Sequence, residues 1–130
     1  MLMFKFSYTN FTHTGKCYKF VSSNATWINA SQSCESAGGH LPSVHDKKTN
    51  DFLVKLSSVY TWLGGFRWEN NLNTWGWRDG SEWNYSNWAT GKPDSLSKKL
   101  LAMNANGMWE DIYDRRGSEH PYICQHSPTM

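Results

Sequence analysis
Three carboxylates and a lysine raise the first chemical question. In the run Gly91-Lys92-Pro93-Asp94-Ser95 an acid follows a proline, with an ammonium directly before it. Further on, Glu110 and Asp111 stand side by side after Trp109. Carboxylates suit a hard divalent cation, which takes about six to eight oxygens. Lys92 carries three donors and no lone pair, so it opposes a cation and can neutralise the acids instead. The residues alone leave three readings open: a metal site, a site where lysine takes the metal's place, and a plain turn.

Other chemistries find less support. His13, His40, His45, His120 and His126 show no zinc-ligand spacing with one another. Cys124-Gln125-His126 pairs a histidine with a cysteine that is a candidate for a bridge. The sequence holds no nucleophile elbow, phosphate loop or His-Glu-x-x-His run. Glu110 and Asp111 are a poor acid–base couple, because neighbours on a strand face opposite sides. An enzyme is not the expectation.

A length of 130 residues fits one domain with its own core. The net charge is +2 and the basic residues form no block, which argues against nucleic acid. No apolar run is long enough to span a membrane. The opening MLMFKF is too short for a secretory signal, so any signal or anchor is expected outside this chain. Cys17, Cys34 and Cys124 give one pair and one leftover. Asn10, Asn24, Asn29 and Asn84 each begin an Asn-x-Ser/Thr triplet, candidate N-glycosylation sites. Together these point to an extracellular chain, secreted or the ectodomain of a larger protein.

The elements that must position the acids follow from pattern. Residues 16–22 alternate and are rich in aromatic and β-branched types, which predicts a strand. Trp27, Ala30, Ser31 and Cys34 share one helix face, and Gly38-Gly39 ends that helix. Residues 43–58 predict a second helix, capped by Asp46 or Ser43, with Phe52, Leu53 and Leu56 inward. Residues 60–65 predict a buried strand. Residues 66–93 read as a long loop pinned by Trp68, Trp75, Trp77, Trp83 and Trp88, which need burial. One or two indoles between Phe66 and Trp88 are expected at the surface, where they can stack on a sugar or anchor a protein. Residues 100–113 predict a hairpin turning at Ala105-Asn106-Gly107, and 120–126 a closing strand. The order defines an α+β fold. Cys34 and Cys124 can be joined; closing a loop of about 90 residues contributes roughly 4–5 kcal/mol.

The pieces CYKF, TWINASQSCESAGGHLPSVH, TWLGG, WGWRDGSEWNYSNW, KPD, NGMWED and YICQ, in this order, resemble the C-type lectin-like domain over residues 16–126. Residues 1–15 are then an N-terminal extension or first strand, and 127–130 a tail. The resemblance implies two helices on small antiparallel sheets, a long excursion carrying the ligand site, a Cys34–Cys124 bridge and a cis bond before Pro93. It places Trp109 beside the ligand loops.

The departures carry the functional reading. Where the family has a second bridge, this chain has Leu100 and Asp114; where long forms pair the cysteine of CYxF, it has Phe6. Cys17 is then a buried thiol or a link to another chain, so a disulfide-linked or non-covalent dimer is open. The family's calcium positions fall on Lys92, Asp94, Lys98 (or Lys99), Glu110 and Asp111, and an auxiliary site on Arg67 and Asn71. Two of the five principal positions are therefore ammonium groups. The expected function is recognition of a protein or glycan without calcium or other cofactor, through residues 66–98 and 109–114. The alternative is a calcium-dependent, galactose-preferring lectin using Asp94, Glu110 and Asp111; a structural or ice-binding variant is a third.

Overall fold
The computed structural model describes residues 8–115 and 117–128. Residues 1–7, with Phe6, and residues 129–130 of the expected tail lie outside them. Nine elements follow one another: β1 (Thr9–Phe11), β2 (Lys16–Ala25), α1 (Trp27–Ser36), α2 (Lys47–Ser57), β3 (Thr61–Arg67), β4 (Trp75–Trp77), β5 (Lys98–Met103), β6 (Trp109–Tyr113) and β7 (His120–His126). The strands lie in the order β1-β2-β7-β3-β5-β6, with β4 on β3. All pairs are antiparallel except β3–β7, which meet in parallel at Trp62 and Tyr122. The expected antiparallel sheets are thus joined into one mixed sheet.

Alternation along the central strands splits the interior into two cores. Leu63, Leu101, Met103 and Ile123 enter one, with Tyr18, Trp75, Trp77 and Trp109. Trp62, Leu100, Ala102 and Tyr122 enter the other, with Trp27, Ala30, Leu41, Cys34 and Cys124. Helix α1 covers the second core with the face that its spacing predicts, Trp27, Ala30, Ser31 and Cys34. Thr26 caps it by accepting from the Asn29 amide. The Cys34–Cys124 disulfide ties it to β7 across 5.3 Å between Cα atoms.

Helix α2 covers the first core. Asp46 is its cap, accepting from the Thr49 amide at 2.8 Å. Of the predicted stripe only Leu53 is fully enclosed. Phe52 is half-buried and stacks on Phe11 at 4.1 Å. The helix docks as much through a polar residue: buried Asn50 donates to the Gly107 carbonyl and accepts from the Trp109 indole, both at 2.8 Å.

The region expected to be all loop contains β4, because Trp75 and Trp77 point inward with Gly76 between them, a period of two. The indoles do not share one fate. Trp75 and Trp77 are buried, Trp83 and Trp88 half-buried, and Trp68 is 58% exposed. The expectation that Trp68 needs burial is corrected. Its ring lies over Gly76 at the surface, where a Cβ would come within 2.6 Å of Cζ3.

Candidate functional site
Strand β6 supplies the anchor. Asp111 is 1% exposed and pairs with Leu101 on the α2 side of the sheet. Its Oδ2 accepts from the backbone amides of Asp94 at 3.0 Å and Ser95 at 3.1 Å. The carboxylate therefore clamps the proline loop onto the hairpin. Its Oδ1 is enclosed without a protein partner.

Above this clamp, Asp94 is exposed and carries two ammonium groups. Lys92 Nζ lies 2.8 Å from Oδ2, and Lys98 Nζ 3.2 Å from Oδ1. The bond from Lys92, then that from Lys98, holds the Asp94 carboxyl below its ordinary range. Lys92 is pushed up in return, first by Asp94. Lys99 is exposed and belongs to a groove on the other side, so the geometry selects Lys98. The Lys92–Pro93 peptide is cis. Lys98 also sits 5.3 Å over the Tyr113 ring, with Arg115 at 4.0 Å from the same ring.

Glu110 does not join the cluster. As the neighbour of Asp111 on a strand it faces the other way. Its carboxylate accepts from the Tyr60 hydroxyl at 3.0 Å and from Asn104 at 3.4 Å. Burial, then this carboxylate, drives the Tyr60 hydroxyl pKa up. Trp109 is fully enclosed, so it positions the loop rather than offering a contact surface. Its backbone bonds Asn87 and Ala89, and its ring meets Trp77, Trp83, Tyr85 and Trp88 at 5.5–6.1 Å.

Arg67 does what sequence reasoning missed. It is only 3% exposed, and its guanidinium donates to four carbonyls: Glu69 at 2.7 Å, Leu96 at 2.5 Å, Ser95 at 3.2 Å and Lys98 at 3.3 Å. It rests 6.0 Å from the Trp75 ring. A fixed cation among carbonyl oxygens thus gathers both ends of the excursion. The signal was present as a basic residue at an expected acid position. The carbonyls it would meet, up to 31 residues away, were not. Asn71 instead folds a local turn, accepting from the Asn73 amide. Asp79 pins the other shoulder, accepting from Ser43, Ser81 and Gln125.

Cys17 is free and buried, donating to Asn10 Oδ1 at 2.7 Å, and burial raises its thiol pKa. Asn10, Asn24, Asn29 and Asn84 are all exposed, but Ser31 of the Asn29 triplet is buried in α1.

Two helices on a mixed sheet, with a pinned excursion beside a hairpin, define a non-catalytic recognition domain. The chain belongs to the C-type lectin family: the Lectin C-type domain profile matches residues 23–126. It is 37% identical over 108 residues to the human (Homo sapiens) low affinity immunoglobulin epsilon Fc receptor, covering 78% of this chain and 32% of that one. The chain thus spans about a third of that relative's length. The fold superposes with a TM-score of 0.86 on a calcium-independent type II antifreeze protein, 26% identical over 96% of this chain and 95% of that one. It superposes equally, at 0.86, on the cow C-type carbohydrate-recognition domain of CD23 crystallised with a GlcNAc2Man3 oligosaccharide, 29% identical over 98% of both chains.

Proposed function
We propose that this chain is an extracellular recognition module that binds a protein or glycan ligand without calcium. One observation carries the reading: Asp94, the carboxylate at the head of the proline loop, is held by Lys92 and Lys98. The donor set does not fit calcium. The ion wants about six to eight oxygens. Both Asp94 oxygens face ammonium groups, Asp111 Oδ2 is taken by two amides, and Glu110 is turned to Tyr60 and Asn104. Asp111 Oδ1 alone among the carboxylate oxygens of this cluster is enclosed and unpartnered, and one oxygen does not make a shell. Arg67 supports the same reading, because the excursion already has a built-in cation.

The ligand surface of this reading is the exposed part of 66–98, with Lys92, Pro93, Asp94 and Lys98 at its centre, Glu110 and Asp111 behind and Trp109 beneath. The folded unit is 16–126, with β1 contributed by the 1–15 extension. The disulfide and the glycosylation triplets, whose four asparagines are exposed, favour the extracellular setting. Calcium-dependent galactose recognition is the competing reading. A glycan array probed with and without EDTA separates them: binding unchanged by chelator is expected, and binding abolished by it transfers the site to calcium.

A further inference from the structure
The exposed indole of Trp68 borders a second surface. Phe66 pairs with Gly76 on β4 and with Leu100 on β5, so these three share the α1 side of the sheet, away from Asp111. Trp68 lies on that side over Gly76 and meets Phe66 at 5.7 Å between ring centroids. Beside them runs a groove of about 230 Å³ floored by Trp27, Ile28, Phe66 and Leu100. Arg78, Lys99 and Asp114 form its charged rim, and Arg67, whose guanidinium is already bonded to four carbonyls, also lines it. Arg78 is engaged by Glu35 through two bonds, whereas the ion pairs of the described residues leave Lys99 without an acid.

We infer that Trp68 and this groove form a saccharide subsite for a pyranose ring bearing an anionic group. An indole seated on a glycine backbone offers a flat face to solvent, and the π face is negative. The C–H face of a pyranose is weakly positive and matches it. Asp114 and Arg78 can accept from and donate to ring hydroxyls, and Lys99 pairs with the carboxylate or sulfate. The groove is smaller than the roughly 300–1,000 Å³ of sites for drug-sized ligands, which suits a single ring. The subsite stands on the opposite side of the sheet from Lys92 and Asp94, so it does not depend on the lysine cluster.

The test is a titration of the whole chain with methyl glucuronide, methyl galactoside 6-sulfate and neutral methyl galactoside. The readouts are the Trp68 indole N–H resonance, assigned by its loss in Trp68→Ala, and, for every variant, the affinity measured by calorimetry. Both anionic sugars should shift it more than the neutral one, and whichever binds better identifies carboxylate or sulfate as the group read. Trp68→Ala should weaken binding about tenfold or more, and Lys99→Gln should bring acidic and neutral sugars to equal affinity. Gly76→Ala, which displaces the ring while keeping it, should weaken binding as well. No shift with any sugar, equal affinity of the unmodified chain for acidic and neutral sugars, or undiminished affinity in Trp68→Ala, each overturns the inference.

Discussion

The clasp of α1, β2 and β7 and the excursion of residues 68–98 are held by different means. In the clasp, a helix face, a sheet ladder and a disulfide repeat regular spacings. In the excursion, β4 is the only strand before Lys98 among the described residues, and it has three residues. Order there comes from side chains bonded to distant backbone: Arg67 to four carbonyls, Asp111 to two amides, Asn87 to Gly107. Packed indoles fill the space between, with Trp77 and Trp83 stacked at 4.5 Å. A loop can therefore be fixed without a ladder when buried charges face backbone dipoles. The consequence is that single side chains carry the excursion, whereas the clasp is redundant except at its bridge.

The largest expected effect breaks the clasp at that bridge. Replacing Cys34 and Cys124 with alanine should cost roughly 4–5 kcal/mol, since the bridge closes a separation of 90 residues. Urea unfolding of the oxidised and substituted chains measures it. Trp109→Ala should come next, at about 3–5 kcal/mol, because a fully enclosed aromatic is removed from the junction of α2, hairpin and excursion. An unchanged melting curve would separate the excursion from the core and void the comparison.

Arg67→Met sharpens the contrast. It leaves part-buried carbonyls without a donor, which should cost about 1–3 kcal/mol after water and relaxation make up part of the loss. The effect should be local: amide exchange should accelerate around residues 94–98 while α1 and β7 keep their protection. Equal acceleration in both regions would show that Arg67 is an ordinary core residue.

The smallest effect lies at the cap of α2. His13, then the Thr49 amide, lowers the Asp46 carboxyl to about 2. A folded-state pKa below the unfolded one stabilises the chain above the ordinary carboxylate value, and that contribution is lost as pH falls through about 2. Melting temperature should thus decline between about pH 4 and 2, and Asp46→Asn should remove part of that decline. The pair is partly exposed, so the change should be small and weaker in salt.

What was legible in the sequence follows the same division. The face of α1 was written at spacings of three and four, and the hairpin in Asn106-Gly107, where Gly107 takes φ +88°. The disulfide and the fold followed from the ordered motifs. Within the excursion, Trp68 and Trp75 look alike as residues; the W-G-W alternation distinguishes the buried pair, and only Gly76's place beneath the ring explains the exposed one. Lys92 and Lys98 meeting at Asp94 was readable by position. The turning away of Glu110 was readable from strand alternation, although the motif grouped it with Asp111. The task of Arg67 was not, because its partners are backbone atoms that no residue type announces.

Calorimetric titration with calcium tests most directly whether the lysines have taken the ion's place. The unmodified chain should show no site tighter than about millimolar, and EDTA should leave its melting temperature unchanged. Lys92→Gln/Lys98→Glu removes both ammonium groups and supplies two oxygen ligands, so that variant should gain affinity for the ion. Micromolar calcium binding by the unmodified chain would contradict the account and make Asp94 and Asp111 ligands rather than partners of lysine and backbone.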